Sequence, residues 1–481
     1  MSPFRSRSIK LLIIPIAIIA VIAINYSGKW KWKKQEAELR AKGEKLELTE
    51  FAPPPLPDSE NFFTAPVWQK INSADNDNPP ANSMRAAMRN KDGNSVLSAL
   101  RKNCKEKLKL DWEVAADFYK KSGKVPANLP APEAVLQALR SADPELEELQ
   151  QAAKRPSQQS NFAYGINNKF AINIEASTRL MSVAQYLLLR SSVEAELGQS
   201  DAALDHLLLI FRLADAAKGD SLLISFLIRV SILQIAVDTI ANGLSLHAWN
   251  AAQLEKIETA LNAVNLPQDY AETLRVERAY GGSLIDYAVE QGDLARTFQG
   301  VHGSDEVKSS DKQDFAIKIQ TIGYKILSFH KSKANHFQLI QKLIEDAEAP
   351  NFSAKSSFEL TKGTKFSPFD LFSMTLPTIA ASKERVAHCE NALRQAKIAC
   401  ELESYRLENN TYPESLNILN QKLPADIYSE KAMRYERLSP SEYKLWSIGP
   451  DEIDQEGEIQ LNRETKQGDI IWFSDRAGND S

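Results

Sequence analysis

Five carboxylates crowd one short stretch near the C-terminus. Asp451, Glu452, Asp454, Glu456 and Glu458 fall within eight residues, and no Lys or Arg follows until Arg463. Like charges at that density repel, so a compact loop needs something to neutralise them. A hard cation with six to eight oxygen ligands does this well, and Asp469, which opens the next β-like run, could close the cage from its other side. The spacing lacks the regular ligand pattern and central Gly of an EF-hand. The plain alternative is a solvated acidic loop. Elsewhere, Glu272, Arg275, Glu277 and Arg278 make the densest mixed cluster, which reads more readily as a salt-bridged, solvent-facing helix face than as a polar site. Cys389 and Cys400 could form a redox pair. Eleven residues of helix, however, put them about 16 Å apart, beyond disulfide reach, so both read as small buried side chains. Nothing assigns Cys104 a partner. His302 lies in a loop over 299–314, and His330 and His336 are six apart, wrong for a pair on one helix face. No nucleophile elbow, phosphate loop, dinucleotide fingerprint or zincin motif occurs.

The bulk numbers narrow the classes. The 481 residues carry 58 Lys plus Arg against 63 Asp plus Glu, a net charge of -5, which argues against a generic nucleic-acid binder needing a basic face. With 43% apolar and 25% charged residues the chain is of globular composition, and three Cys exclude a disulfide-rich scaffold. Arg5, Arg7 and Lys10 precede an unbroken apolar run from Leu11 to Ile24. Fourteen helical residues rise about 21 Å, short of a hydrocarbon core of roughly 30 Å. Ile9 and Tyr26 lengthen the run, Lys10 can snorkel, and Trp30 and Trp32 suit the headgroup level. An uncleaved anchor is expected, with a cleaved signal as the alternative. Lys29, Lys31, Lys33 and Lys34 nearly balance the basic N-terminal side. The basic start favours a cytoplasmic N-terminus, a single-pass anchor held by membrane lipid, and a body outside the cytoplasmic membrane.

Four segments follow: 1–28, a basic tip and transmembrane helix; 29–83, a charged helix and Pro-rich stalk; 84–350, a helical body; and 378–475, an α+β module. Pro53, Pro54, Pro55 and Pro57 force an extended segment, read as a semi-rigid spacer holding the body off the membrane. The polar stretch 72–83 is a further loop. In the body, apolar spacing predicts helices over Glu175–Leu197, Asp201–Ala217, Ser221–Ala241, Ala251–Val264 and Gln268–Glu290, a helical bundle or irregular solenoid. The third is apolar nearly all round, and Arg229 and Asp238 argue for a core helix over a second span. In the last segment Val386, Cys389, Leu393, Ala396, Cys400 and Leu407 mark a core-facing stripe on a helix ending near Asn409, with Glu403 the polar exception. Three strands, Met433–Leu438, Tyr443–Ile448 and Ile470–Phe473, complete an antiparallel meander, with SPSE as the first hairpin. The fold class is thus mainly α with a C-terminal α+β module.

The order YRLENNTYPESLNIL, LPADIYSEKAMRYER, YKLWSIGPDEID, GDIIW resembles the globular part of the type II secretion major pseudopilins. It is most similar to the pilin-like C-terminal region of membrane-anchored proteins of planctomycete and verrucomicrobial type. The stretch WKKQEAELRAKGEKLELTEFAPPPLPDSENF behind the apolar run resembles the N-terminal segment of such proteins. In that pattern Tyr412 and Pro413 open a packed loop, SIGPD follows the second strand and GDI starts the last. The resemblance implies a Ca²⁺ ion in the loop between the second and third strands, with Asp451 and Asp469 at the matching positions and Asp454 a third ligand. The loop here is longer and more acidic than the family's. The N-terminus MSPFRSRSIKLLIIP lacks the family's Gly-Phe junction and the Glu five residues into the mature chain, which argues against pilus-like polymerisation. The expected function is a non-catalytic scaffold or binding protein of the cell envelope, linked to secretion machinery. The alternatives are an envelope hydrolase with a site in the helical body, and a cleaved periplasmic binding protein.

Overall fold

The computed structural model describes residues 4–72, 83–90, 92–103, 110–160, 175–219, 222–291, 324, 329–349, 352, 376–419, 422–462 and 465–474. The side chains of the apolar run up to Ile18, Cys104, His302, most of the loop 72–83 and the loop 299–314 lie outside the described residues.

In chain order the helices are α1 (Phe4–Ala41), α2 (Pro66–Asn72), α3 (Ser83–Ala87), α4 (Val96–Asn103), α5 (Trp112–Lys121), α6 (Ala131–Leu139), α7 (Asp143–Ala153), α8 (Glu175–Glu196), α9 (Ser200–Ala216), α10 (Leu223–Ser245), α11 (Ala251–Asn262), α12 (Leu266–Gln291), α13 (Phe329–Ala347) and α14 (Leu376–Asn409). Strands β1 (Arg434–Ser439), β2 (Glu442–Ser447) and β3 (Ile470–Phe473) follow. The fold is therefore mainly helical with one small antiparallel sheet, ordered β1-β2-β3. Leu445 sits opposite Tyr435 on one side and Trp472 on the other.

Local chemistry sets the helix ends. Gly198 is left-handed (φ 72°), and Gln199 N donates to Glu194 O at 2.8 Å while Gly198 N donates to Ala195 O, the bond pair that ends a helix and turns the chain back. This folds α9 antiparallel onto α8. Asn250 and Gln253 cap α11 reciprocally, each side chain accepting from the other's backbone N–H. α10 ends on the same bond pattern as α8, Ala248 N to Gly243 O and His247 N to Leu244 O, but with His247 rather than Gly at φ 49°.

α10 is long and apolar enough to cross a membrane by length and composition, with a mean hydropathy of 1.8, yet most of that stretch is buried in the body. Its Arg229 is fully buried and pairs with Asp269 of α12 at 2.8 Å. A methyl group at Gly243 would lie 2.2 Å from the buried Trp249 indole, so this helix carries glycine where the next segment folds back over it.

α14 is buried on two opposite faces. One packs on α10 and α12: Cys389 Sγ lies 3.5 Å from Val230 O, and Ser382 shares a 2.7 Å hydrogen bond with Tyr270. The other packs on the sheet, where Gln395 Nε2 donates to Ile470 O at 2.8 Å. Ala387, Ile398, Ala399 and Leu402, off the expected stripe, are buried as well, whereas Leu407 is exposed. A single hydrophobic core runs from Phe62 through α14 to Trp472. Cys389 and Cys400 are free and buried.

The segment 29–83 departs from the expected stalk. α1 does not stop near the apolar run; its second half lies along α13, with Trp32 and Phe337 ring centroids 4.7 Å apart and Leu39 and Leu46 buried beside Ala334. Beyond the Pro segment, Phe62 and Trp68 enter the main core, and Arg155 donates to Asp58 O and Asn61 O. The prolines are exposed, but they bridge two docked segments instead of separating body from helix. The reason is apolar content: Trp32, Leu39, Leu46, Leu48, Phe62 and Trp68 are too much oily surface to leave in water.

Candidate cation site in the acidic loop

The loop after β2 crosses back to β3 between two left-handed glycines. Gly449 (φ 71°) passes so close to Gly468 O that a Cβ would sit 2.2 Å from it. This crossing brings Asp451 to the foot of β3: its Oδ2 accepts from Gly468 N at 2.9 Å, and its Oδ1 from Ile453 N at 3.2 Å.

Asp469 lies beneath the loop and is fully buried. Its Oδ2 accepts from Gly457 N at 2.8 Å and Gln455 N at 3.1 Å. Its Oδ1 is buried and has no hydrogen-bond partner among the described residues. Burial raises its pKa, the backbone donors of Gly457 and Gln455 lower it, and the charges of Asp454 and Asp451 raise it further; the net shift is upward. Gln455 Nε2 donates to Asp451 Oδ2 at 3.0 Å, which leaves Gln455 Oε1 buried and likewise without a donor. Two buried oxygens lacking donors, beside the Asp451 carboxylate, are costly unless a proton or a cation meets them.

Asp454 is engaged by other donors. Its Oδ2 accepts from Arg434 Nε at 2.8 Å, and its Oδ1 from Trp446 Nε1 at 3.0 Å and Glu456 N at 3.1 Å. Burial raises its pKa, but the Trp446 and Arg434 bonds lower it more, so it is held as a carboxylate by β1 and β2. Among the described residues no three Asp, Glu, His or Cys side chains converge as a complete metal cage. Asp451 and Asp469 come together, Asp454 is spoken for, and Gln455 is the oxygen that sequence reasoning missed. An amide carries no charge signal, so only the fold could reveal it. Ca²⁺ accepts amide and backbone carbonyls alongside carboxylates. Asp469 Oδ1 and Gln455 Oε1, the two oxygens without donors, would hold such an ion beside the Asp451 carboxylate, and its chemistry would be structural: cancelling charge and fixing the loop. The melting midpoint of the full chain is expected to rise in millimolar Ca²⁺ relative to chelator, and Asp469→Asn to abolish the rise. An unchanged midpoint with no heat of binding would leave a surface loop only.

The mixed cluster on α12 is not a solvated face. Arg278 is fully buried; its Nη2 donates to Glu44 at 2.7 Å and to Lys45 O at 3.0 Å, and its Nη1 to Gln341. Glu277 accepts from Leu223 N at 2.7 Å, and Arg275 reaches Glu44 and Glu348, while Glu272 is exposed. Glu44 arrives through Gly43 (φ 79°), which ends α1 and turns the chain back onto α12. His336 is a core histidine against Arg278 O.

A second polar constellation surrounds Glu403, the exception on the α14 stripe. Arg406 spans both carboxylate oxygens at 2.7 and 2.9 Å, Tyr412 OH donates to Oε2 at 2.7 Å, and His247 Nδ1 lies 3.0 Å from Oε1. Burial raises the Glu403 pKa, but bonds from Arg406, His247 and Tyr412 outweigh it and bring it down to about 2. His247 is half-exposed. A polar residue on an apolar stripe is a legible sign that partners exist; which partners they are is not.

The chain matches no protein-family model, no curated protein and no solved structure. The class that fold and site define is a mainly α-helical chain whose helix α14 bears a three-stranded sheet and an acidic loop.

Proposed function

We propose that this protein is a single-pass, membrane-anchored scaffold or binding protein, with its bulk outside the cytoplasmic membrane and no catalytic role. Its pseudopilin-like module would present a Ca²⁺-fixed loop, and association with secretion machinery is the role the resemblance favours. The observation that carries this reading is continuity. The helix containing the apolar run is the helix whose second half is packed on α13, and Ile19, Ile22, Ile24 and Tyr26 beyond that packing are exposed. Exposed apolar residues on a projecting helix suit a lipid environment. Carbonate extraction of membranes tests it: full-length protein stays in the pellet, and its release into the soluble fraction would overturn the anchor. A mature N-terminus near Ile24 would support the cleaved alternative instead.

One observation favours a second reading, an envelope enzyme. His247 is half-exposed, held by a buried carboxylate, and occupies a left-handed position that commonly takes Gly. Such an imidazole is oriented for proton transfer.

A further inference from the structure

The second half of α1 and the start of α13 place an unusual amount of positive charge where α1 leaves the body. Gly28 is buried against α13, so tightly that a Cβ there would lie 3.3 Å from Lys331 N. This contact sets Lys29 and Lys31 of α1 beside His330, Lys331 and Lys333 of α13, and Lys33 and Lys34 follow on the outer side of α1. Of these, Lys333 is committed: it bonds Asp286 at 2.6 Å and lies over the Trp32 ring. Lys31 donates to Asn335 Oδ1 at 2.9 Å, a neutral partner, and Lys34 lies over Trp30, 3.9 Å from Glu38. Lys29, Lys33 and Lys331 are exposed.

One feature makes the cluster costly for the protein alone. The first described turn of α13 carries His330, Lys331 and Lys333 and no acidic residue. The cations oppose one another. Burial and then Lys331 lower the Lys31 pKa, and burial, Lys29 and Lys333 lower that of His330 against a smaller pull from Asp286. The acidic residues in the last turns of α12 are Asp286, already held by Lys333, and Glu290. A site whose cations repel one another is complementary to an anion.

The exposed apolar residues Ile19, Ile22, Ile24 and Tyr26 of α1 stand just before Lys29, with the exposed Trp30 among the cations, so along the helix the cations begin within about 5 Å of Tyr26. We infer that Lys29, Lys31, Lys33 and Lys331 form a collar that binds the phosphate headgroups of anionic phospholipids. This rests on the anchored reading above. Each such lysine close to an anionic membrane surface contributes attraction that salt screens.

The test uses the full-length protein reconstituted in nanodiscs of phosphatidylcholine, with and without phosphatidylglycerol. The melting midpoint is expected to rise by about 3 °C or more with the anionic lipid, and to lose that rise in high salt. Lys29→Gln/Lys331→Gln should abolish it, and Lys29→Arg/Lys331→Arg should keep it. Millimolar inorganic phosphate added to phosphatidylcholine discs distinguishes the source; a rise matching that of the anionic lipid would assign a soluble phosphate ligand and overturn the lipid. Wild-type protein that inserts in both discs with the same midpoint would sink the collar while leaving the anchor intact. Protein that fails to co-purify with either disc would sink the anchor.

Discussion

Glu403→Ala is expected to cost about 2–4 kcal/mol of folding stability, because it strips the carboxylate from Arg406, His247 and Tyr412 at once and leaves the buried Tyr412 hydroxyl and the partly buried Arg406 unpaired. The pH dependence follows in sign. The folded pKa, about 2, lies below the ordinary value of 4.5, so the contribution is complete above about pH 4.5 and is lost as pH falls towards 2. Glu403→Gln keeps the shape without the charge. It should therefore cost less and flatten the acid side of the stability curve. Denaturant midpoints between pH 2 and 7 check both; a Gln variant with the wild-type acid slope would show that other carboxylates set it.

The second large effect is expected at Arg278. Arg278→Met should lose about 3–5 kcal/mol, since it abandons Glu44, Lys45 O and Gln341 in a buried site. Arg275→Met removes a partly exposed guanidinium that shares Glu44 and reaches the exposed Glu348, and should cost about 1 kcal/mol or less. The Arg278 variant should also speed amide exchange in the second half of α1, because that is the segment Glu44 ties down. Equal losses for the two variants, or unchanged exchange in α1, would mean that the segment is held by Trp32 and Phe337 alone.

These two residues illustrate what the sequence made legible. The repeating apolar positions placed α8 to α12 within a few residues at each end, because a 3.6-residue period against polar turns is a local signal. The last strand, Ile470–Phe473, was likewise readable, since four consecutive apolar residues bounded by Asp469 and Ser474 leave few options. The fate of Arg278 was not readable. Its partner Glu44 lies far away in sequence, and a mixed-charge helix face looks the same whether it meets water or another segment. The same limit applies to the acidic loop. Its charge density identified the region, but nothing local shows that Asp454 turns to Arg434 and Trp446 while Gln455 turns inward. α14 misled for a different reason: a helix buried on two faces blurs the one-sided stripe that periodicity detects.

The burial of α14 on two faces also bears on how the chain is made. On a ribosome α10 emerges long before α14, the wall it will lean on, exists. In that interval α10 is an apolar helix of span length covered by α8 and α9 but not yet by α14, and a translocation channel sorts such segments by hydrophobicity. Arg229, whose partner Asp269 is synthesised soon after, is then the feature that marks α10 as belonging in water, not lipid. Two walls around α10, namely α8 and α9, are made before it, and α14 adds the last one only after the rest of the helical body has emerged.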